Sequence, residues 1–336
     1  MLDALGTLGG MVTKVSIVLG VLLGMVAYTV WLERKVLGHI QTRRGPLYVG
    51  FHGLLQPIAD GIKLFVKEDV IPDGADRVLF AIAPAITVGT ALIAVAVIPF
   101  GETLTLFGHT IEMHIADLNI GILYILAVTS LGVYGLILGG WSSNNKFALL
   151  GSLRSSAQMI SYELALGFTL IGPLMLAGTL RMRGIVEAQQ DLWFVVLQPL
   201  GFVLYLICAL AETNRVPFDL PEAESEIVAG YHVEYSGMKF AFFFLGEYAN
   251  MITVAAIATT VFLGGWQGLF GLDQAALAPL WFLGKVALLL FLFIWIRGTL
   301  PRFRFDQLMG FGWKVLIPLA LANVLATGVA VILLGG

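Results

Sequence analysis

The segment Asn119-Ile-Gly-Ile-Leu-Tyr-Ile-Leu-Ala-Val-Thr-Ser-Leu-Gly-Val-Tyr-Gly-Leu-Ile-Leu-Gly-Gly-Trp141 sets the fold class, because its 23 residues carry no charged side chain. The apolar residues follow one another without the alternation of a membrane β-strand, so the segment predicts an α-helix. A helix needs about 20 apolar residues to cross the hydrocarbon core of a bilayer. The segment therefore predicts a membrane-spanning helix.

Seven further segments of the 336-residue chain pass the same test of length and composition. Across the chain, 58% of the residues are hydrophobic and only 12% are charged, too few charges to cover a soluble protein of this size. The eight predicted spans cover residues 15–32, 78–100, 119–141, 157–180, 192–211, 240–265, 279–296 and 315–334. They predict an all-α polytopic membrane protein with eight transmembrane helices, forming a single integral membrane domain over residues 1–336.

The distribution of lysine and arginine predicts the orientation of these spans. The connections after the first, third, fifth and seventh spans hold 15 of the 19 basic residues, and the opposite side holds 4. Cytoplasmic connections carry the excess of basic residues in membrane proteins. Since the number of predicted spans is even, both termini are expected on the outer side.

Residues 54–68 are too charged to span a membrane, yet their apolar residues keep a helical period. On the polar face, four side chains recur at spacings of 4, 3 and 4, namely Gln56, Asp60, Lys63 and Lys67. The pattern predicts an amphipathic helix on the inner membrane surface. Two roles remain open: a simple interfacial anchor, or a wall of the lipid-side entrance to a cavity for an amphipathic or isoprenoid molecule.

On the outer side, residues 101–118 predict a small β-hairpin, because polar and apolar residues alternate on both sides of a glycine. Strands are expected at residues 103–107 and 110–115. Gly108 and His109 are expected to form the turn between them.

Charge and cysteine content exclude several classes of function. The net charge of −3 provides no basic surface for a nucleic acid. The single cysteine, Cys208, excludes an internal disulfide, a four-cysteine zinc site and an iron–sulfur cluster held by this chain alone. Any electron-transfer centre would therefore belong to a partner.

Acidic residues inside the predicted spans are the main functional signal. Glu163 and Glu247 are expected about 9–12 Å below the inner membrane surface, where a carboxylate is costly and therefore suggests function. Glu33, Glu212 and Asp60 are expected at a similar level, and five acids at one depth predict a hydrated cluster that takes up and relays protons. In the alternative interpretation, Arg34, Lys63 and Arg297 pair with these acids only to fix helix positions.

The connection from Glu212 to Gly237 is unusually acidic, with six acids and one base, Arg215. Pro217 and Pro221 interrupt helical structure there. A mobile element at this place would couple an event in a cavity to proton affinity inside the bilayer, whereas the alternative is a merely solvated acidic loop. The last inner connection carries Arg297, Arg302 and Arg304, which are expected to bind lipid phosphates or the acids of a docked protein.

Polar blocks spread over essentially the whole chain resemble the H subunit of respiratory complex I, the proton-pumping NADH:quinone oxidoreductase. Such long ungapped polar blocks rarely recur by chance in a membrane protein. They include Glu33-Arg-Lys-Val-Leu-Gly, Gly53-Leu-Leu-Gln-Pro-Ile-Ala-Asp-Gly-Ile-Lys63, Ser161-Tyr-Glu163, Ala211-Glu-Thr-Asn-Arg-Val-Pro-Phe-Asp219, Glu222-Ala-Glu-Ser-Glu226 and Pro301-Arg-Phe-Arg-Phe-Asp-Gln-Leu-Met.

The resemblance implies roles for three groups of residues. The residues matching positions around a quinone chamber are Glu33, Arg34, Asp60, Lys63, Phe218 and Arg297. The residues matching an acidic proton path into the bilayer are Glu163, Glu212 and Glu247. The residues matching a loop that links quinone reduction to proton movement are Arg215, Asp219, Glu222, Glu224 and Glu226.

The resemblance also implies cofactors, partners and a location. Ubiquinone or menaquinone would be the substrate, while NADH, flavin and iron–sulfur clusters would be bound by partner subunits, one of which carries the terminal cluster. This chain would hold no metal and would contact membrane lipids and other complex I subunits in a bacterial inner membrane rather than a mitochondrial one. Three alternatives remain: the homologous membrane subunit of an energy-converting hydrogenase, a stand-alone ion transporter, and an inert membrane scaffold.

Overall fold

The computed structural model describes residues 2–106, 109–219, 228–268 and 277–334. These residues form helices and one two-stranded antiparallel sheet. In chain order the elements are α1 (Leu2–Ile40), α2 (Gln56–Val66), α3 (Arg77–Ala94), β1 (Thr103–Leu106), β2 (His109–Glu112), α4 (Gly121–Ser142), α5 (Lys146–Ala177), α6 (Met182–Glu187), α7 (Phe194–Leu197), α8 (Pro199–Glu212), α9 (Gly237–Phe262), α10 (Ala278–Thr299), α11 (Phe305–Phe311) and α12 (Ile317–Leu334). A π-helical turn, Gly312–Leu316, joins α11 to α12.

Seven helical stretches within the described ranges are long and apolar enough to cross a membrane. They are Gly9–Ile40, Arg77–Val97, Gly121–Ser142, Lys146–Ala177, Gly237–Phe262, Ala278–Thr299 and Phe305–Leu333. They match all the predicted spans except the fifth. The chain is therefore a helical integral membrane protein, while the count of eight spans and the outward position of both termini stay predictions.

The fifth predicted span, at residues 192–211, is divided into the short helices α7 and α8. The break lies at Gln198, which has φ −129° and ψ 51° and precedes Pro199, a position where the helical conformation is disfavoured. The Gln198 side chain donates to Thr327 Oγ1 at 2.6 Å and accepts from Asn323 at 2.9 Å. The divided helix runs along α5 in the opposite direction, because Gln198 lies beside Gly172 and Ala211 accepts a hydrogen bond from Gln158.

Close packing of small residues holds the centre of the bundle together. A Cβ atom added to Gly135 of α4 would lie 2.2 Å from Thr87 Oγ1 of α3, and one added to Gly246 of α9 would lie 2.9 Å from Thr87 Cγ2. Glycine at both positions lets three helices approach on either side of Thr87, as is typical of membrane helix interfaces. This contact sets the spacing around the polar cavity described below.

The short elements differ from prediction in their limits. Helix α2 starts at Gln56 and ends at Val66, inside the predicted range of 54–68. In the hairpin, Thr103 pairs with Glu112 and Leu106 with His109, so the prediction of His109 as a turn residue is wrong. The second strand ends at Glu112 and not at residue 115 as predicted, and residues 107 and 108 lie outside the described ranges. Helix α5 begins eleven residues before the predicted span because Asn145 caps it, accepting from Phe147 N at 2.9 Å.

Lys285 of α10 is a buried cation. It lies near the C-terminal end of α9, whereas the acidic residue Glu247 lies in the N-terminal half of that helix. Its ammonium donates to the carbonyls of Leu263 at 2.6 Å, Gly265 at 3.0 Å and Gln267 at 2.7 Å, and it lies 4.1 Å from the centre of the Trp193 ring. These carbonyls follow the end of α9, where a positive charge is favourable. Lys285 therefore fixes the chain that leaves α9.

Replacing Lys285 by Met is expected to destabilise the folded chain by about 3 kcal/mol, because buried carbonyls lose charged donors. Thermal unfolding of the purified protein in detergent measures the effect. Lys314→Met, at an exposed position, is the matched control and should change stability by less than about 0.5 kcal/mol. Equal melting temperatures for the two variants would contradict this role of Lys285.

Candidate functional site

A buried ion-pair cluster surrounds Glu33 on α1, whose residue exposure is only 5%. Arg215 Nη1 lies 3.2 Å from each oxygen of the Glu33 carboxylate. The Tyr248 hydroxyl donates to Glu33 Oε2 at 2.8 Å, and Arg297 of α10 also pairs with this carboxylate. Glu33 is thus compensated by groups from three separate parts of the chain.

Arg215 connects Glu33 to a second acid, Glu247 of α9. Its Nε atom lies 2.8 Å from Glu247 Oε1, and its guanidinium carbon lies 4.2 Å from the centre of the Tyr248 ring. Two carboxylates and two guanidinium groups balance their charges here, as buried ions must. Any displacement of Arg215 would change the electrostatic surroundings of both acids together.

The turn after α8 places Arg215 at this position. Arg215 O accepts from Phe218 N at 2.7 Å, and the buried amide of Gln158 donates to the carbonyls of Ala211 and Phe218, both at 2.8 Å. Gln158 belongs to α5, so this neighbouring helix holds both ends of the turn. The turn leads directly into the acidic segment whose residues Glu222, Glu224 and Glu226 lie outside the described ranges.

A small polar cavity adjoins the ion-pair cluster. Its volume is about 40 Å³, which is room for about two or three water molecules. Glu212 and Glu247 line it, together with Thr87, Thr90, Thr129, Asn214 and Asn250. The buried Oδ1 atoms of Asn214 and Asn250 have no donor among the described residues. Such acceptors suit bound water, which would bridge the two carboxylates.

Glu163 lies apart from this cavity, at the outer wall of the bundle. The Ser130 hydroxyl of α4 donates to its carboxylate. The groove beside it is lined by Leu126, Ile160 and Leu164, of which Ile160 is 57% exposed. Thr129, the neighbour of Ser130 in α4, lines the cavity that Glu212 and Glu247 share. Glu163 therefore adjoins both the inner acids and the surface of the chain.

Asp60 also lies outside the cluster, so the prediction of five acids in one cluster is wrong. Asp60 pairs with Arg34 at 2.6 Å, and the Arg34 side chain is 50% exposed. Successive helical residues point about 100° apart, so Arg34 faces α2 while Glu33 faces the bundle interior. Lys63 is exposed, and no ion pair involves it in the described part of the chain.

The arginines of the last inner connection have partners within the chain. Arg297 pairs with Glu33, Arg302 lies 3.2 Å from the buried Asp219, and Arg304 lies 3.5 Å from Asp306. Their predicted binding of lipid phosphates or docked acids therefore competes with these internal pairs. Phe218 is 4% exposed and stacks on Phe303 with 5.7 Å between ring centres, so its ring belongs to the packed interior.

Metal ligands do not group in the described residues. Within them, no set of three or more His, Cys, Asp or Glu side chains is arranged to hold a metal ion. Carboxylates that lie close together can bind, release and exchange protons.

Comparisons with known proteins assign the family. A family model described as NADH dehydrogenase matches residues 13–328. The chain is 54% identical to an NADH-quinone oxidoreductase H subunit of Geobacter sulfurreducens, over 96% of this chain and 94% of that protein. The chain belongs to the family of NADH-quinone oxidoreductase H subunits.

Other members of this family are similarly close. An NADH-quinone oxidoreductase H subunit of Syntrophobacter fumaroxidans is 52% identical, with 97% of each chain covered. The H subunit of Thermomicrobium roseum is 53% identical, with 93% of each chain covered. The resemblance indicated by the polar blocks is confirmed.

Sequence reasoning missed two contacts that define the site in this H-subunit family member. It assigned no base to Glu247, which Arg215 pairs, and it did not single out Tyr248, which donates to Glu33. The sequence does contain one indication that Arg215 pairs with acids, because Arg215 is the single base between Glu212 and Gly237. Its partners come from 182 positions earlier and 32 positions later in the chain, which no local pattern reveals.

His232, which lies outside the membrane-spanning helices, is expected to make the stability of the folded chain depend on pH. It is 9% exposed and packs edge-on against Tyr231, Phe240 and Phe244. Burial lowers the pKa of His232 to about 4. The folded state therefore keeps this side chain neutral at pH values where the unfolded chain binds a proton.

Stability is expected to fall as the pH decreases from about 6.5, the unfolded pKa, to about 4, because protons favour the unfolded state in this window. The effect of His232 alone reaches about 3 kcal/mol at the acid end. His232→Phe should remove it, whereas His39→Phe, at an exposed position, should not. Melting temperatures measured across this range test the difference, and parallel pH profiles for all three proteins would contradict it.

Proposed function

We propose that this chain is the membrane subunit of a proton-translocating NADH:quinone oxidoreductase that forms the quinone access chamber and couples quinone reduction to proton movement. The observation that carries the proposal is the contact of Arg215 with both Glu33 and Glu247, beside the polar cavity of Glu212. The family assignment supports the assembly, since the relatives are named as subunits of that enzyme.

The quinone chamber is proposed beside α1 and α2. Reduction of a quinone takes up two electrons and two protons, and the electrons would come from an iron–sulfur cluster in a partner subunit. Glu33, Arg34, Asp60, Lys63, Phe218 and Arg297 are proposed as chamber residues. The exposed apolar side of α2, with Ile62 61% and Phe65 76% exposed, is suited to lie on the membrane surface and admit an isoprenoid tail. Phe218, being buried, would act by positioning the chain around the chamber.

Arg215 is proposed as the coupling group between the chamber and the proton path. A movement of the segment after Asp219 would displace Arg215, which lies four residues earlier. Glu247 would then lose its guanidinium partner and bind a proton more readily. Return of Arg215 would release that proton to Glu212 across the cavity. Glu163 would receive it next, at the surface of the bundle.

The proposal also covers the partners, the quinone and the location of the chain. Its partners would be the other membrane and peripheral subunits of complex I, together with membrane lipids. Either ubiquinone or menaquinone fits the proposal, since both join a polar head to an apolar tail. The location would be a bacterial inner membrane with both termini outside.

A photoreactive quinone tests the chamber in the assembled complex. We expect it to label peptides of α1 near Glu33 and of α2, and we expect excess unmodified quinone to suppress the labelling. Asp60→Ala should raise the KM for quinone more than Glu187→Ala, a control at a half-exposed side chain at the end of α6. A complex that lacks bound quinone and reduces protons would instead support the hydrogenase alternative, and ion transport by the isolated chain in liposomes would support the transporter alternative.

A further inference from the structure

A second cavity lies beside the N-terminal half of α1, away from the ion-pair cluster. Its volume is about 230 Å³, and its walls come from α1, the end of α3, α9 and α10. Among its described lining residues, Thr253 alone has a polar side chain, and that hydroxyl donates to the carbonyl of Ala249 at 2.9 Å. The described side chains of the walls therefore offer a ligand dispersion contacts and no free hydrogen-bond donor. Cavities of this kind bind apolar molecules.

The cavity opens toward the bilayer along α1. Ile17 and Val21 both line it, yet they are 62% and 50% exposed. Side chains that line a cavity and are also exposed lie at its opening. Because α1 is a membrane-spanning helix, the surroundings of this opening are lipid chains.

An adjoining apolar cavity, of about 310 Å³, lies beside the neighbouring face of the same helix, lined by Val15, Val18 and Leu19. Val18 of α1 and Val95, which follows α3, line both cavities, so their side chains lie between the two apolar spaces. The N-terminal half of α1 thus borders apolar cavities. The C-terminal half of α1 is instead joined to α9 and α10 by the contacts of Glu33 with Tyr248 and Arg297.

Lys14 supplies a charge at the mouth of the first cavity. It precedes Ile17 and Val18 by three and four residues, so it belongs to the face of α1 that lines the cavity. It lies about one helical turn, 5.4 Å, nearer the start of α1. Lys14 directly precedes the uncharged run of residues 15–32, and a lysine at the end of such a run extends its ammonium to the headgroup region.

We propose that this cavity binds an acyl chain of an anionic phospholipid whose phosphate contacts the Lys14 ammonium. The apolar walls match the acyl chain, and the cation matches the phosphate at the end of the helix where lipid headgroups lie. An isoprenoid tail is a poorer match. Met25, the deepest lining residue on α1, lies about 12 Å from Glu33 along the helix. The opening at Ile17 and Val21 lies about 20–26 Å along α1 from Arg34, which pairs with Asp60. The inference does not depend on the proposed quinone chamber.

Photolabelling of the assembled complex in nanodiscs tests the proposal. The probe is phosphatidylglycerol with a diazirine on one acyl chain, and labelled peptides are identified by mass spectrometry. We expect labels on residues 17–25 of α1 and 252–256 of α9. Ala256→Leu fills the cavity from α9 and should lower this labelling about tenfold. The matched control is Ala326→Leu on the exposed side of α12, which should leave it unchanged.

Two further arms identify the ligand. Lys14→Gln should lower labelling by phosphatidylglycerol about fivefold while leaving labelling by an uncharged diacylglycerol probe unchanged. The comparison of the charged and uncharged probes on the Lys14→Gln complex tests the proposal even where Ala256→Leu prevents assembly. Labelling of this site by a diazirine-tailed quinone in preference to the phospholipid would overturn the proposal. Absence of phospholipid labels at both peptides, or equal labelling of the Ala256→Leu and Ala326→Leu complexes, would overturn it too.

Discussion

Replacing Arg215 by Leu is expected to lower NADH:quinone reductase activity of the assembled complex at least about tenfold, because a buried pair that loses one partner is destabilised by about 3–5 kcal/mol. Arg215 contacts Glu33 at 3.2 Å and Glu247 at 2.8 Å. Arg297 still pairs with Glu33 in the variant, whereas the ion pair of Glu247 with Arg215 is lost. Activity and subunit content of purified membranes measure the loss.

Two variants separate this effect from a general loss of charge. Arg183→Leu removes an arginine outside the proposed site whose partners Glu102 and Glu187 are 60% and 50% exposed, and it should cost less than about 1 kcal/mol. The double variant Arg215→Leu with Glu247→Gln removes both charges of the broken pair and should regain part of the lost stability. If Arg215→Leu behaves like Arg183→Leu, Arg215 does not connect the two acids in the working enzyme.

Replacing Glu212 by Gln is expected to slow proton-coupled turnover roughly tenfold to hundredfold, because a positioned proton-transfer group contributes at least that much. Glu212 is 5% exposed and shares the polar cavity with Glu247. Gln keeps the size of the side chain but carries no exchangeable acid proton. Turnover of the complex with added quinone, measured alongside its proton uptake, gives the effect.

The control for Glu212 is an acid outside the bundle interior. Glu187→Gln changes a side chain that is 50% exposed and pairs with Arg183. It should leave turnover and proton uptake unchanged. A Glu212→Gln complex with the same turnover and uptake as the Glu187→Gln complex would exclude Glu212 from the path.

Most of the fold can be predicted from composition and helical period, because membrane-spanning helices must be long and apolar. Seven predicted spans match helices of the structure. The fifth differs, since Pro199 and the polar contacts of Gln198 break a segment that composition alone predicts as continuous. Helix limits such as Asn145 depend on capping and not on apolarity.

The sequence predicts which residues belong to the candidate site, but it does not predict which of them contact one another. The cost of placing an acid in a membrane marks Glu163 and Glu247, and the acidic connection marks Arg215. Which of these meet depends on how α1, α9 and α10 pack, so the pairing of Arg215 with Glu247 and the separation of Asp60 emerge only in three dimensions. The sequence predicts how deep an acid lies along its helix, but it does not predict which neighbouring helix the side chain faces. Acids predicted at one depth therefore belong to separate groups in the structure.

The most direct test of the central claim measures protons moved per electron pair in proteoliposomes containing the complex with Glu163→Gln, Glu212→Gln or Glu247→Gln. Initial rates of quinone reduction and of proton translocation are recorded on the same vesicles. The account predicts that these variants lose proton translocation, with quinone reduction slowed or uncoupled from it. Undiminished translocation together with normal quinone reduction in all three variants would contradict the claim that these carboxylates carry protons.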